Sequence, residues 1–133
     1  MSGPPAPLSG YVPGRHAIEA YGAGGFRFAG LSHVGSILAT PKGVAAVAVQ
    51  TPDAIDAAAL APLFAELEAD PGSIEYVVIG AGARMAALAP ALKDRLRAAG
   101  LRFEVMATGP ATRVYNVMVD ENRRVAGLFL AAP

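Results

Sequence analysis

The stretch from Tyr76 to Val119 constrains the fold more than any other part of this chain, because strand-like and helix-like patterns alternate along it. Residues 76–79 are an apolar, mostly β-branched run that stops at Gly80, which is typical of a strand buried on both faces. Pro90 places the start of the following helix near residue 89, and Gly100 suits a left-handed residue after its end. Spacings of three and four predict one buried face for this helix, formed by Met85, Leu88, Leu92, Leu96 and Ala99.

A second strand and a further helix complete the stretch. Residues 101–106 are predicted to be a strand, and Thr108 is predicted to cap the next helix, with Pro110 in its first turn. A strand-like pattern over residues 113–119 competes with the helix, and we favour the helix. Its predicted buried face consists of Ala111, Val114, Tyr115 and Met118.

Short strands are predicted on the N-terminal side, and they cover residues 17–21, 26–28, 33–40 and 44–49. A helix follows, with an apolar stripe formed by Leu60, Leu63, Phe64 and Leu67, and a last strand spans residues 125–130. This order predicts an α/β fold with a partly parallel sheet covered by helices. We expect residues 1–15 to be a flexible tail and residues 16–133 to form a single domain.

The composition of the chain, which has 133 residues, excludes several classes of protein. Eleven basic and eleven acidic side chains cancel, so no basic surface is expected to attract nucleic acid or an anionic membrane. The absence of cysteine excludes disulfides, thiolate metal sites and cysteine nucleophiles. No apolar run approaches the ~20 residues that span a bilayer, and the N-terminal sequence matches no targeting peptide. We therefore expect a cytoplasmic protein with no nucleic-acid partner and no membrane insertion.

Two turns of small residues follow neighbouring predicted strands and form the candidate ligand-binding site. Ligands of open α/β sheets bind at the carboxyl ends of strands, where backbone N–H groups and arginines suit a phosphate or carboxylate. The candidate residues for a small anion are Gly80, Gly82, Arg84, Thr108, Gly109, Arg113, Tyr115 and Asn116. The alternative is that the glycines serve only packing, and that Arg113 and Asn116 tie their helix to neighbouring loops.

The residues indicate neither a specific cofactor nor a catalytic group. A dinucleotide fingerprint needs a third glycine at the position of Met85, and the acidic residue downstream, Glu104, lies in mid-strand. His16 and His33 are far apart in sequence and lack clustered carboxylates, which makes a poor metal site. Nothing places Ser36 on a nucleophile elbow. We predict no cofactor, no metal and no catalytic residue.

The same motifs resemble those of one family of domains of unknown function. The family includes mitochondrial NADH:ubiquinone oxidoreductase complex assembly factor 3 and the adipogenesis-associated homologue, with many uncharacterised bacterial members. The resemblance covers residues 17–131, although this chain has no tryptophan and no mitochondrial presequence pattern. It rests on YGAGGFRFAGLSHVGSIL, a Pro-Lys-Gly turn, Gly-Ala-Gly-Ala-Arg at residues 80–84, and Thr108-Gly109 followed by Arg113, Tyr115 and Asn116.

The resemblance implies both a fold and a class of function. The fold is a three-layer α/β fold, with a central mixed β-sheet covered by helices and an additional β layer from the N-terminal strands. The mitochondrial relative helps to assemble respiratory complex I without acting as an enzyme, which implies a non-catalytic, assembly-factor-like protein with protein partners. A protein or enzyme that binds a small anion at the two turns is the alternative, and a structural homo-oligomer is a third hypothesis.

Overall fold

A computed structural model describes residues 11–132 of the chain. Besides a short 3-10 helix at Pro52–Ala54, the described residues form nine strands and three α-helices. In chain order these are β1 (Tyr11–Pro13), β2 (Ile18–Gly22), β3 (Gly25–Phe28), β4 (Leu31–Val34), β5 (Ser36–Ala39), β6 (Gly43–Val47), α1 (Ala61–Ala69), β7 (Tyr76–Gly80), α2 (Pro90–Ala98), β8 (Arg102–Met106), α3 (Thr108–Asp120) and β9 (Val125–Phe129).

The strands form two sheets. The larger one has six strands in the order β1-β6-β5-β9-β7-β8, in which β7 is parallel to both β8 and β9 and the other pairs are antiparallel. The smaller, antiparallel sheet has the order β2-β3-β4. The last strand of the chain, β9, thus lies in the middle of the larger sheet.

Two apolar cores lie on opposite faces of the larger sheet, and alternation along β9 divides its side chains between them. On one face, Leu128 packs with residues of α1 and α2, such as Leu63 and Leu96. On the other, Phe129 packs with α3 and the small sheet, including Tyr115 and Phe26. The predicted fold is confirmed: a mixed sheet covered by helices, with a second β layer from the N-terminal strands.

The apolar faces of the helices follow the predicted pattern, except at Met85. Gly100 has a φ of +78° after the end of α2, as predicted for a left-handed residue. Met85 was predicted on the buried face of α2, and this is wrong: the segment from residue 81 to 89 is irregular, and Met85 is 72% exposed. Pro90 lacks an N–H and is favoured in a first turn, so α2 begins there. Within residues 11–132 no helix has the length and apolar content of a membrane span.

Two differences from the sequence predictions concern the N-terminal third. Tyr11–Pro13 is a strand paired with β6, so the predicted boundary of the tail at residue 15 is too late, whereas residues 1–10 lie outside the described range. The predicted strand over residues 33–40 divides at Gly35, whose φ of +107° turns the chain from the small sheet into the large one. The N–H of Gly35 donates to the carbonyl of Gly24 and fixes this corner.

Candidate functional site

The two small-residue turns of the candidate site lie side by side, because they follow the parallel neighbours β7 and β8. The N–H of Gly82 donates to the hydroxyl of Thr108 (2.9 Å), and the N–H of Thr108 donates to the carbonyl of Gly82 (2.8 Å). The hydroxyl of Thr108 donates in turn to the carbonyl of Leu130 (2.8 Å). One buried side chain therefore joins the turn after β7, the start of α3 and the end of β9.

These contacts change the interpretation of Thr108. The N-cap of α3 is Ala107, and no side chain of the described residues caps this helix, so the predicted capping role of Thr108 is wrong. Thr108 is instead the first helical residue and is fully buried. Its hydroxyl accepts from one backbone segment and donates to another, so the bonds that an anion would need are already made inside the protein.

Close packing explains Gly80 and Gly109, and backbone conformation explains Gly82. A Cβ on Gly80 would lie 2.9 Å from the Cα of Thr108 and 3.1 Å from the Cβ of Ala111, so α3 can reach β7 only if residue 80 has no side chain. A Cβ on Gly109 would overlap the ring and hydroxyl of Tyr21, which covers the first turn of α3. Gly82 has open space around it, but its φ is +97°, which favours glycine.

The side chains of Tyr115 and Asn116 both contact other segments of the fold. The ring of Tyr115 is fully buried and packs edge-on against Phe129, with a centroid distance of 5.3 Å. Burial raises the pKa of the Tyr115 hydroxyl to about 12, and within residues 11–132 that hydroxyl has no hydrogen-bond partner. The Asn116 amide accepts from the N–H of Ile18 and donates to the carbonyl of Ile18, both at 2.8 Å. These contacts fit the alternative for Asn116, in which its side chain ties α3 to a neighbouring segment, here β2.

The two candidate arginines are exposed to solvent. Within the described range neither Arg84 nor Arg113 forms an ion pair. Arg84 lies in the irregular segment that follows the first turn, and Arg113 lies one turn beyond Gly109 on α3. Arg113 also lines a groove of about 350 Å³ between β2 and α3, together with Tyr21 and Asn116. Of the candidate residues, these two arginines have the charge and exposure that an anion requires.

The sequence patterns do not indicate the contacts that Tyr21 and Ile18 of β2 make with α3. The hydrogen bonds between Ile18 and Asn116 join positions 98 residues apart, and no local pattern indicates such a contact.

Among residues 11–132 no group of three His, Cys, Asp or Glu side chains is arranged to hold a metal ion. The described residues also form shallow concavities, among them the groove with Arg113, a concavity on the small sheet, and an apolar groove along α3.

Known proteins share both the sequence and the fold of this chain. It is 35% identical to an uncharacterized protein of Rhodobacter capsulatus over 128 residues, which is 96% of this chain and 94% of that one. A Bartonella henselae structure, described as an outer membrane protein, has a TM-score of 0.83 and 36% identity over 91% of this chain and 98% of that one. A Bordetella pertussis structure, described as a Mth938-like domain, has a TM-score of 0.75 and 28% identity over 98% and 90%. Residues 18–130 match the model of a family of proteins of unknown function, so this chain belongs to the family DUF498/DUF598.

Proposed function

We propose that this chain is a non-catalytic protein-binding module of the assembly-factor type, which binds its partner on the layer formed by the small sheet and α3. The observation that carries the proposal is the exposure of apolar side chains there: Val34 is 86% exposed and Tyr21 is 45% exposed. Both line one concavity of about 500 Å³ on the small sheet, together with Phe26 and His33. Concave apolar surfaces of this kind mark interaction sites, so the expected occupant is an apolar segment of a partner protein.

Site-specific photocrosslinking in the native organism tests this surface. A photoreactive amino acid at Val34 is expected to capture one reproducible protein, whereas the same group at exposed Lys42, outside the concavity, is expected to capture none. Val34→Asp places a carboxylate in the apolar surface without touching the core, and it is expected to reduce recovery of that protein at least about tenfold. The proposal fails if no protein is captured reproducibly from position 34.

The assembly role is the more specific form of the proposal, and the family resemblance supports it. In a host with a respiratory NADH:ubiquinone oxidoreductase, deletion of the gene is expected to lower the amount of assembled complex on native gels. Wild-type protein should restore the amount, and Val34→Asp should not. An unchanged complex in the deletion strain removes the assembly role but leaves the binding surface open. The cytoplasmic location stays a prediction, and cell fractionation tests it.

A small-anion binder is the second candidate function, and the exposed, unpaired state of Arg84 and Arg113 within residues 11–132 favours it. A thermal-shift screen of phosphates, carboxylates and nucleotides tests it with Arg84→Ala and Arg113→Ala. Arg27→Ala is the matched control, because Arg27 is also exposed and has no ion pair in the described range. A specific anion should stabilise the wild type and the control but neither of the other variants. Equal stabilisation of all four proteins contradicts a site at these arginines.

A further inference from the structure

The outer edge of β8 is a second surface of interest, since β8 ends the larger sheet and no other described strand pairs with its outer side. It is five residues long and contains neither proline nor glycine. The N–H of Arg102 donates to the carbonyl of Glu75, and the carbonyl of Met106 accepts from the N–H of Ala81. Arg102, Glu104 and Met106 therefore direct their backbone groups towards β7. Phe103 and Val105 alternate with them and direct their N–H and C=O groups away from the sheet.

The other described sheet edges are protected to different degrees. The described part of β1 covers three residues and ends in Pro13, which cannot donate a backbone hydrogen bond. On β2, the amide of Asn116 occupies both the N–H and the carbonyl of Ile18, as a neighbouring strand would. β4 has four residues and turns away at Gly35. Among the described strands, β8 thus presents the longest edge without such a device.

The side chains of β8 have an arrangement that complements itself. Arg102 and Glu104 are exposed and lie on the same face of the sheet, where the hydroxyl of Tyr76 donates to Glu104 (3.0 Å). Phe103 lies on the opposite face and is half-buried. Above its ring lies the guanidinium of Arg97, which is paired with Asp94 of its own helix (3.6 Å). Arg102 of this edge forms no ion pair within residues 11–132 and lies two residues from the Glu104 carboxylate.

We propose that β8 pairs antiparallel with β8 of a second copy of this chain, with Phe103 on the two-fold axis, so that two six-stranded sheets become one of twelve strands. In this register Phe103 exchanges both backbone hydrogen bonds with its counterpart, which uses the groups that point away from the sheet. Arg102 then lies opposite Glu104 of the other copy at a non-hydrogen-bonded position, where side chains are closest. This ion pair occurs twice.

Charge selects this register over its nearest alternative. A shift of the partner strand by two residues would place Glu104 opposite Glu104, and like charges directly opposite are destabilising. Paired edges of this kind bury a small area, so the dimer is expected to be weak and to depend on protein concentration.

Sedimentation equilibrium of the full chain over a dilution series to about 1 mM tests the proposal. The average mass is expected to rise from the 13.5 kDa of one chain towards twice that value. Arg102→Glu and Glu104→Arg each place like charges opposite one another, and each is expected to weaken self-association at least about tenfold. Circular dichroism shows whether the variants keep the fold, which both surface positions should allow.

Mixing the two charge-reversed variants gives the discriminating result. Arg102→Glu carries two carboxylates on this edge and Glu104→Arg carries two guanidiniums, so an equimolar mixture should form a heterodimer although neither variant associates alone. A wild type that remains monomeric at 1 mM overturns the proposal. So does a dimer that both reversals leave unchanged, or a mixture of folded variants that does not associate. These results are independent of the crosslinking at Val34.

Discussion

Replacing Thr108 by valine removes a buried hydroxyl that joins three segments of the chain while it keeps the shape of the side chain. The hydroxyl accepts from the N–H of Gly82 at 2.9 Å and donates to the carbonyl of Leu130 at 2.8 Å. Valine leaves both backbone groups without this partner, and an unsatisfied buried polar group costs about 1–3 kcal/mol. Because Gly82 is only partly buried, we expect the free energy of unfolding of Thr108→Val to fall by about 2–4 kcal/mol in total.

Thermal and urea unfolding measure this difference. An unfolding entropy of about 2.1 cal/mol/K per residue converts each 1 kcal/mol into roughly 3–4 °C for a chain of 133 residues. The melting temperature of Thr108→Val should therefore be about 7–14 °C lower than that of the wild type. Thr108→Ser is the matched control: it keeps the hydroxyl and loses one methyl group, which costs about 1 kcal/mol.

The comparison of the two variants separates a structural hydroxyl from one that serves only a ligand. A hydroxyl that only binds a ligand predicts unchanged stability of the unliganded valine variant. If Thr108→Val unfolds within about 0.5 kcal/mol of the wild type, or is more stable than Thr108→Ser, the hydrogen bonds of Thr108 do not hold the two turns together.

Substitutions at three further positions have defined expectations. Asn116→Ala should lower the free energy of unfolding by about 2–4 kcal/mol, because it leaves the N–H and carbonyl of Ile18 without partners. Asn116→Gln has the same amide on a longer side chain and tests whether the position of the amide matters. If Asn116→Ala loses less than about 0.5 kcal/mol in urea unfolding, the two hydrogen bonds do not stabilise the fold. Gly80→Ala should cost about 1–3 kcal/mol, since its Cβ would lie 2.9 Å from the Cα of Thr108, and an unchanged unfolding midpoint would show that α3 moves away freely. The folded pKa of Tyr115, about 12, is above the unfolded value of 10.0, so its contribution to stability is complete below pH 10 and is lost as the pH rises towards 12. The difference in unfolding free energy between the wild type and Tyr115→Phe should therefore change by roughly 2–3 kcal/mol across that interval, and a constant difference contradicts the shifted pKa.

The order of elements in the second half of the chain was predictable, because its periodicities are regular and proline and glycine mark the ends. The run before Gly80 is a buried strand, and Gly100 follows a helix, as predicted. The prediction for Met85 was wrong because apolar spacing alone does not show where a helix begins, whereas Pro90 does. The predicted single strand over residues 33–40 missed the change of sheet at Gly35, because that one residue is all that separates β4 from β5.

The candidate site was predictable in position but not in its contacts. Parallel neighbouring strands put the turns after β7 and β8 at one edge, which the sequence order of strands and helices indicates. The partners of Thr108, Asn116 and Gly109 are Leu130, Ile18 and Tyr21, and each of these lies far along the chain. Long-range contacts of this kind depend on how the layers stack, and local patterns of residues do not encode that directly.

The position of β9 affects how the chain can fold while it is being synthesised. The C-terminal strand fills the gap between β5 and β7, so the larger sheet stays in two pieces for as long as residues 125–129 are still within the ribosome. Until then β5 and β7 both present open edges with apolar side chains, and a chain that stalls or terminates before residue 125 offers them to other nascent chains. The larger sheet can therefore close only after residues 125–129 have left the ribosome.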